Sequence, residues 1–188
     1  MTTFEYVMVM VSVVLALALA QLLRALTEVV TNPRRYWVHA LWMLSLVLLI
    51  VQIWWAYWDF NATEIWTFAL YLYLLAYPIG VFIAASLLVP ATRAADMDWR
   101  AHYYRVHRWA FTALLACSLI ALTGQVFYLG VPALHPYRVF QVPMIASLLG
   151  AVLATGHGAH RLFAVAFFGL LLVSQLVIRM NLGALVPG

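Results

Sequence analysis

Five of the six histidines, His39, His102, His107, His157 and His160, fall in or beside the segments that carry most of the chain's arginines, while His135 stands apart. Imidazoles gathered at one end of a protein suggest two chemistries. His102 and His107 on one segment, with His157 and His160 three residues apart on another, offer nitrogen ligands for a transition metal. Alternatively, histidines from two helices clamp a haem iron. No cysteine or carboxylate completes a familiar ligand set, so no cofactor is predicted and haem or a transition metal stands as the alternative.

Four glutamines form a second group. Gln52, Gln125, Gln141 and Gln175 lie in four different apolar runs, each within about 5–10 Å of the same membrane surface at 1.5 Å per helical residue. Amides at a shared depth would line a pathway or vestibule, or else hydrogen-bond between helices. Asp59, seven residues after Gln52, shares its helical face and extends that lining.

The arginines are the third group. All ten basic residues are Arg, so there is no lysine to form a Schiff base. Arg100, Arg105 and Arg108, with Arg161 and Arg24, suggest a cytoplasmic face that holds anionic lipid headgroups or another anion. Within 98–109, helical periodicity predicts Arg100, Tyr104, His107 and Arg108 on one side and His102, Val106 and Trp109 opposite. Gln21, Arg24 and Glu28 share a face, with Arg24 and Glu28 spaced to pair. Nucleotide-binding, zinc-protease and serine-hydrolase motifs are absent, so the chain leans toward a non-enzymatic role.

The elements that position these groups follow from composition. Hydrophobic residues make up 67% of the 188 and charged residues 9%, with mean hydropathy +0.99. Continuous apolar runs exclude the alternation of barrel strands, and hydrocarbon leaves backbone amides no water to bond, so the runs must be helices. The fold class is all-α: a single polytopic domain, residues 1–188, built as a bundle of about six transmembrane helices. The predicted spans are 4–30, 33–58, 63–89, 105–129, 137–155 and 161–181, with an interfacial basic segment at 91–107.

Thr2 with Glu5, Asn32 before Pro33, Asn61 with Glu64, and Asp98 are the expected N-terminal caps. Pro78 predicts a kink. Spans five and six, joined by Gly156–His160, are near the minimum crossing length, so a re-entrant hairpin is the alternative. Ala18-Leu19-Ala20 resembles a cleavage site, but Glu5 replaces the basic front of a signal peptide, which favours a retained helix.

Arginine-rich connections between spans one and two, three and four, and five and six predict an inner-membrane protein with both termini outside. By the same logic the positive charge sets topology and does not indicate nucleic acid. No acidic residue falls near the bilayer centre, which disfavours proton-coupled transport.

Small residues recur at four-residue spacing (Ser12, Ala16, Ala20; Gly80, Ala84; Ala113, Cys117, Ala121; Ala146, Gly150, Ala154) and suggest close helix seams. Trp54, Trp55 and Trp58 suggest an outer aromatic belt.

Three functions follow as expectations. The first is a helix-packing protein, a homo-oligomer or accessory subunit of a larger membrane complex, whose partners are the bilayer and anionic headgroups. The second is a channel or carrier for a neutral or anionic small solute, which a polar cavity joining the glutamines would favour. The third is a haem- or metal-binding redox protein.

Overall fold

The computed structural model describes residues 2–90 and 97–177. Among these the chain is all-helical: α1 Thr3–Thr31, α2 Trp37–Ala56 followed by a 3₁₀ turn Tyr57–Phe60, α3 Phe68–Leu88, α4 Trp99–Phe127, α5 Arg138–Leu153 and α6 His157–Val177. With the 3₁₀ turn counted in α2, five of the six are long and apolar enough to cross a membrane. α5, at 16 residues, reaches about 24 Å at the helical rise, short of hydrocarbon about 30 Å thick.

The helices run alternately up and down and close a ring in the order α1, α2, α6, α5, α4, α3, with α2 also touching α3 and α4. α2 is accordingly the most buried helix, apolar all round except for His39, Ser45 and Gln52. One end of the bundle collects His39, His102, His107, His157 and His160; the other collects Gln52, Gln125 and Gln141.

Local chemistry explains where helices start and stop. Thr2 and Glu5 form the expected capping box, and Asp98 caps α4 by accepting from the Arg100 and Ala101 amides at 2.9 and 3.0 Å. Two expected caps are corrected. Asn32 ends α1, and its Oδ1 accepts from the Arg34 amide at 2.7 Å, so Asn32-Pro33 makes a turn and α2 begins only at Trp37. Asn61 follows the 3₁₀ turn, and Thr67 caps α3 by accepting from the Leu70 amide at 3.1 Å.

Two further boundaries shift. Of the expected interfacial segment, 91–96 lies outside the described residues, and from Trp99 the chain is already the first turns of α4. α6 begins four residues early, at His157, which shortens the α5–α6 connection; the expected end of span six, at 181, lies outside the described residues.

Pro78 sits inside α3 and has no amide to give the Leu74 carbonyl. The Tyr57 hydroxyl donates to that carbonyl instead, at 2.7 Å. Small residues let α3 and α4 touch. A Cβ on Gly80 would lie 2.1 Å from Cys117 Sγ, and one on Gly124 would lie 1.6 Å from Tyr73 Oη, whose hydroxyl donates to the Ile120 carbonyl. Ala16, Ala20 and Ala146, by contrast, face outward.

Candidate functional site: a polar cavity at the glutamine end

α2, α4 and α5 bring Gln52, Gln125 and Gln141 to one cavity of about 80 Å³, with Tyr77, Ser118 and Tyr137 as its other polar lining. Leu49, Leu114, Met144 and Phe167 supply its apolar walls. Gln52 Nε2 donates to Tyr137 Oη at 2.7 Å, joining α2 to the start of α5, while Gln52 Oε1 is buried without a partner. Arg138 Nη1 donates to the side-chain oxygens of both Gln125 and Gln141. The sequence brings this about simply, since Arg138 and Gln141 are one helical turn apart and the α4–α5 loop folds α5 back along α4.

A smaller void of about 50 Å³ shares Gln125 and Tyr77 with this cavity and reaches Asp59. Asp59 also borders an open depression of about 410 Å³ lined by Thr63, Glu64 and Tyr128. Polar groups thus extend from the surface of this end to residues that line the cavity. Gln175 does not line it, and its Nε2 is buried without a partner on α6. Three of the four expected glutamines are therefore brought together, with Asp59 at the approach.

Below the cavity the bundle is closed by aromatic packing. Trp42 is fully buried, its ring 4.3 Å from that of Phe111 and 5.1 Å from that of Phe167. Beyond this plug lies the histidine end. Leu88 is the last residue of α3, and its carbonyl has no helical partner; His39 Nε2 and His102 Nε2 each lie 3.1 Å from it and donate to it. The Tyr103 hydroxyl donates to His160 Nδ1 at 3.1 Å, and His160 Nε2 donates to the Ala154 carbonyl, at the end of α5, at 3.1 Å. Tyr36, Tyr104 and His157 continue this network toward the surface through contacts of 3.1 and 2.6 Å. Burial, and then the bond to Tyr104, pushes the Tyr36 hydroxyl above its ordinary value, so it stays neutral.

The four candidate metal ligands do not come together as one set. His102 pairs with His39, His107 packs edge-on against His160 at 4.8 Å, and His157 is exposed. Among the described residues no group of three or more His, Cys, Asp or Glu side chains is placed to hold a metal ion. The expected faces of 98–109 are corrected: His107 is buried with His102 and Tyr103, and Trp109 is exposed with Arg105 and Arg108. The inward face must carry aromatic bulk, and His107 stacks on Tyr103 at 5.7 Å.

Arg100, Arg105, Arg108 and Arg161 are all exposed around the histidine end, and Arg100 lies 6.0 Å over the Tyr36 ring. Arg24 lies away from the interior, with its side chain 77% exposed and 3.8 Å from Glu28. Gln21 accepts from Ser86 Oγ at 3.3 Å, tying α1 to α3.

Sequence reasoning missed Tyr137 as a cavity residue and Arg138 as the donor that joins two of the cavity's glutamines. Their signal was the Arg138–Gln141 spacing at the head of a short span. No family model matches the chain, no curated protein matches it in sequence, and no solved structure matches its fold.

Proposed function

We propose that this chain is a multi-pass inner-membrane protein that takes a small neutral or anionic solute into the glutamine-end cavity, acting as a carrier whose opposite end is shut. In this reading all six helices cross the bilayer, α5 at a point thinned or covered by its neighbours. The arginine- and histidine-rich end faces the cytoplasm, and both termini and the cavity face outward.

The observation that carries the proposal is the convergence of Gln52, Gln125 and Gln141 from three helices on one cavity. Three amides scattered only to tie helices together would not need to share a void. The cavity has room for several waters or one small molecule, which suits a solute of a few heavy atoms. The Trp42 plug beneath it favours a carrier over an open channel.

A thermal-stability screen of the purified full-length chain against urea, acetamide, glycine, glycerol and sodium acetate tests this. Bound solute stabilises the folded state by mass action. At least one solute should raise the midpoint of the wild type and lose its effect in Ser118→Leu, which fills the cavity. A panel without any shift, or a shift that survives filling, overturns the reading.

A second reading concerns the opposite end, where Arg100, Arg105, Arg108 and Arg161 stand exposed together. They suit anionic lipid headgroups, each contributing about 1 kcal/mol near a charged leaflet. Removing Arg100, Arg105 and Arg108 together should weaken retention of anionic lipid in native mass spectrometry; unchanged retention overturns it.

A further inference from the structure

At the glutamine end, on the flank of the bundle, the antiparallel helices α1 and α2 leave a groove of about 660 Å³ between them. α1 lines it from Phe4 to Val13, and Trp54, Trp55 and Trp58 line the α2 side. From Glu5 to Val13 it extends inward by about 12 Å at the helical rise. It shares no lining residue with the glutamine cavity.

The groove is tied at both ends. Near the surface the Phe4 ring meets the Trp58 ring edge-on at 6.0 Å, and deeper Trp54 Nε1 donates to Ser12 Oγ at 3.0 Å. That bond uses the only polar hydrogen of the Trp54 indole, so the rest of its ring offers apolar and π surface. An aromatic belt accounts for indoles at the interface, but it requires neither a hollow between two helices nor an acid within it.

Glu5 is the only charged residue among the described lining of this groove, in a chain whose formal net charge is +4. Its Oε2 accepts from the Thr2 amide at 2.7 Å, a bond to a neutral group that leaves the carboxylate's charge in place. The carboxylate and the negative faces of the indoles attract the same partner, a cation, and aromatic faces suit an ammonium that carries alkyl groups. Met8, Val9 and Val13 continue the groove as hydrocarbon surface. An anion would be repelled by Glu5, and a cation without a tail would leave that surface uncovered.

We infer that this groove binds a lipophilic monocation, an amphiphile whose alkylammonium head lies beside Glu5 and the indoles and whose single alkyl chain runs along Met8, Val9 and Val13. Val9, Val13 and Trp54 are exposed on the flank of the bundle, so the amphiphile enters sideways from the surrounding leaflet. This is a second binding function, independent of the glutamine cavity and of its solute.

The test is equilibrium binding of radiolabelled dodecyltrimethylammonium to the full chain in nanodiscs of zwitterionic lipid, with binding to empty nanodiscs subtracted. Binding should saturate at about one per chain. The unlabelled compound should displace the label at least about tenfold more effectively than dodecanol, which has the tail without the charge, tetramethylammonium, which has the head without the tail, or dodecylphosphocholine, a zwitterion. Glu5→Gln removes the charge and retains the capping box, because glutamine also serves at that position, and should weaken binding at least about fivefold. Trp58→Leu should weaken it similarly.

The wild-type comparisons stand even if a variant fails to fold. Label bound no better than by empty nanodiscs would overturn the proposal. Equal displacement by dodecanol would overturn the cationic head, by tetramethylammonium the alkyl tail, and by dodecylphosphocholine the choice of a cation over bilayer phospholipid. Unchanged affinity in either folded variant would overturn the placement of the head.

Discussion

The two ends of this bundle treat buried polar groups in opposite ways. At the histidine end, His39, His102 and His160 donate to the carbonyls of Leu88 and Ala154, where helices α3 and α5 run out of partners. Aromatic rings fill the space between these imidazoles. At the glutamine end, Gln52, Gln125 and Gln141 surround a void, and Arg138 keeps two nitrogens without a partner. Imidazoles at the first end therefore satisfy helix-end carbonyls and pack among rings, although His39 Nδ1 and His107 Nε2 are buried without a partner there too, whereas the glutamines at the second end surround a void. The first arrangement closes helix ends, and the second leaves the cavity on which the solute-binding proposal rests.

Removing structure at the packed end should do the most damage. Trp42→Ala, which empties the space between Phe111 and Phe167, is expected to destabilise by about 3–5 kcal/mol in reversible unfolding in mixed micelles. A loss under about 1 kcal/mol would show that the plug is loosely packed.

The pair on Leu88 comes next. His39→Leu or His102→Leu alone should cost about 1 kcal/mol, because the other imidazole still satisfies the carbonyl; the double variant should cost about 3 kcal/mol, more than the sum. Strict additivity would contradict the shared-carbonyl account.

Tyr57→Phe should cost about 1–2 kcal/mol by leaving the Leu74 carbonyl without a donor. In a Pro78→Ala background the restored amide should remove most of that penalty.

The smallest stability effect is expected at Arg138. Arg138→Met replaces a buried cation with an apolar chain of similar length and should leave stability within about 1 kcal/mol of wild type, or raise it. Destabilisation comparable to that of Trp42→Ala would make Arg138 a structural residue and erase the contrast between the ends.

Much of the helical frame was legible because apolar runs in a membrane chain leave the backbone one solution. α1 matches within a residue of its expected bounds. The start of α2 was not legible, because Asn followed by Pro is compatible both with a helix cap and with a turn. Only the Asn32–Arg34 bond decides for the turn. The start of α3 was misplaced for a related reason: Asn61, Thr63 and Thr67 can all cap, and the one that does is Thr67, whose hydroxyl accepts from the Leu70 amide.

The glutamine depth argument anticipated three cavity residues, since equal distance from one surface is a property of sequence position. Which helices are neighbours is not, and so Gln175 was grouped with the others. Arg138 was not singled out because its burial depends on α5 folding back against α4. His107 was placed with the arginines by an idealised period, whereas the demand for aromatic bulk next to Tyr103 turns it inward.

The contrast between an open glutamine end and a closed interior is tested most directly by one-sided thiol labelling in a Cys117→Ala background. Gln125→Cys lies on the cavity, and Ser45→Cys is a near-isosteric change at a fully buried position of α2. With a membrane-impermeant methanethiosulfonate reagent added to the outside of right-side-out vesicles, Gln125→Cys should react at least about tenfold faster than Ser45→Cys, because thiol modification follows access. Equal rates at the two positions, or modification of Gln125→Cys only from the inside, would contradict the account.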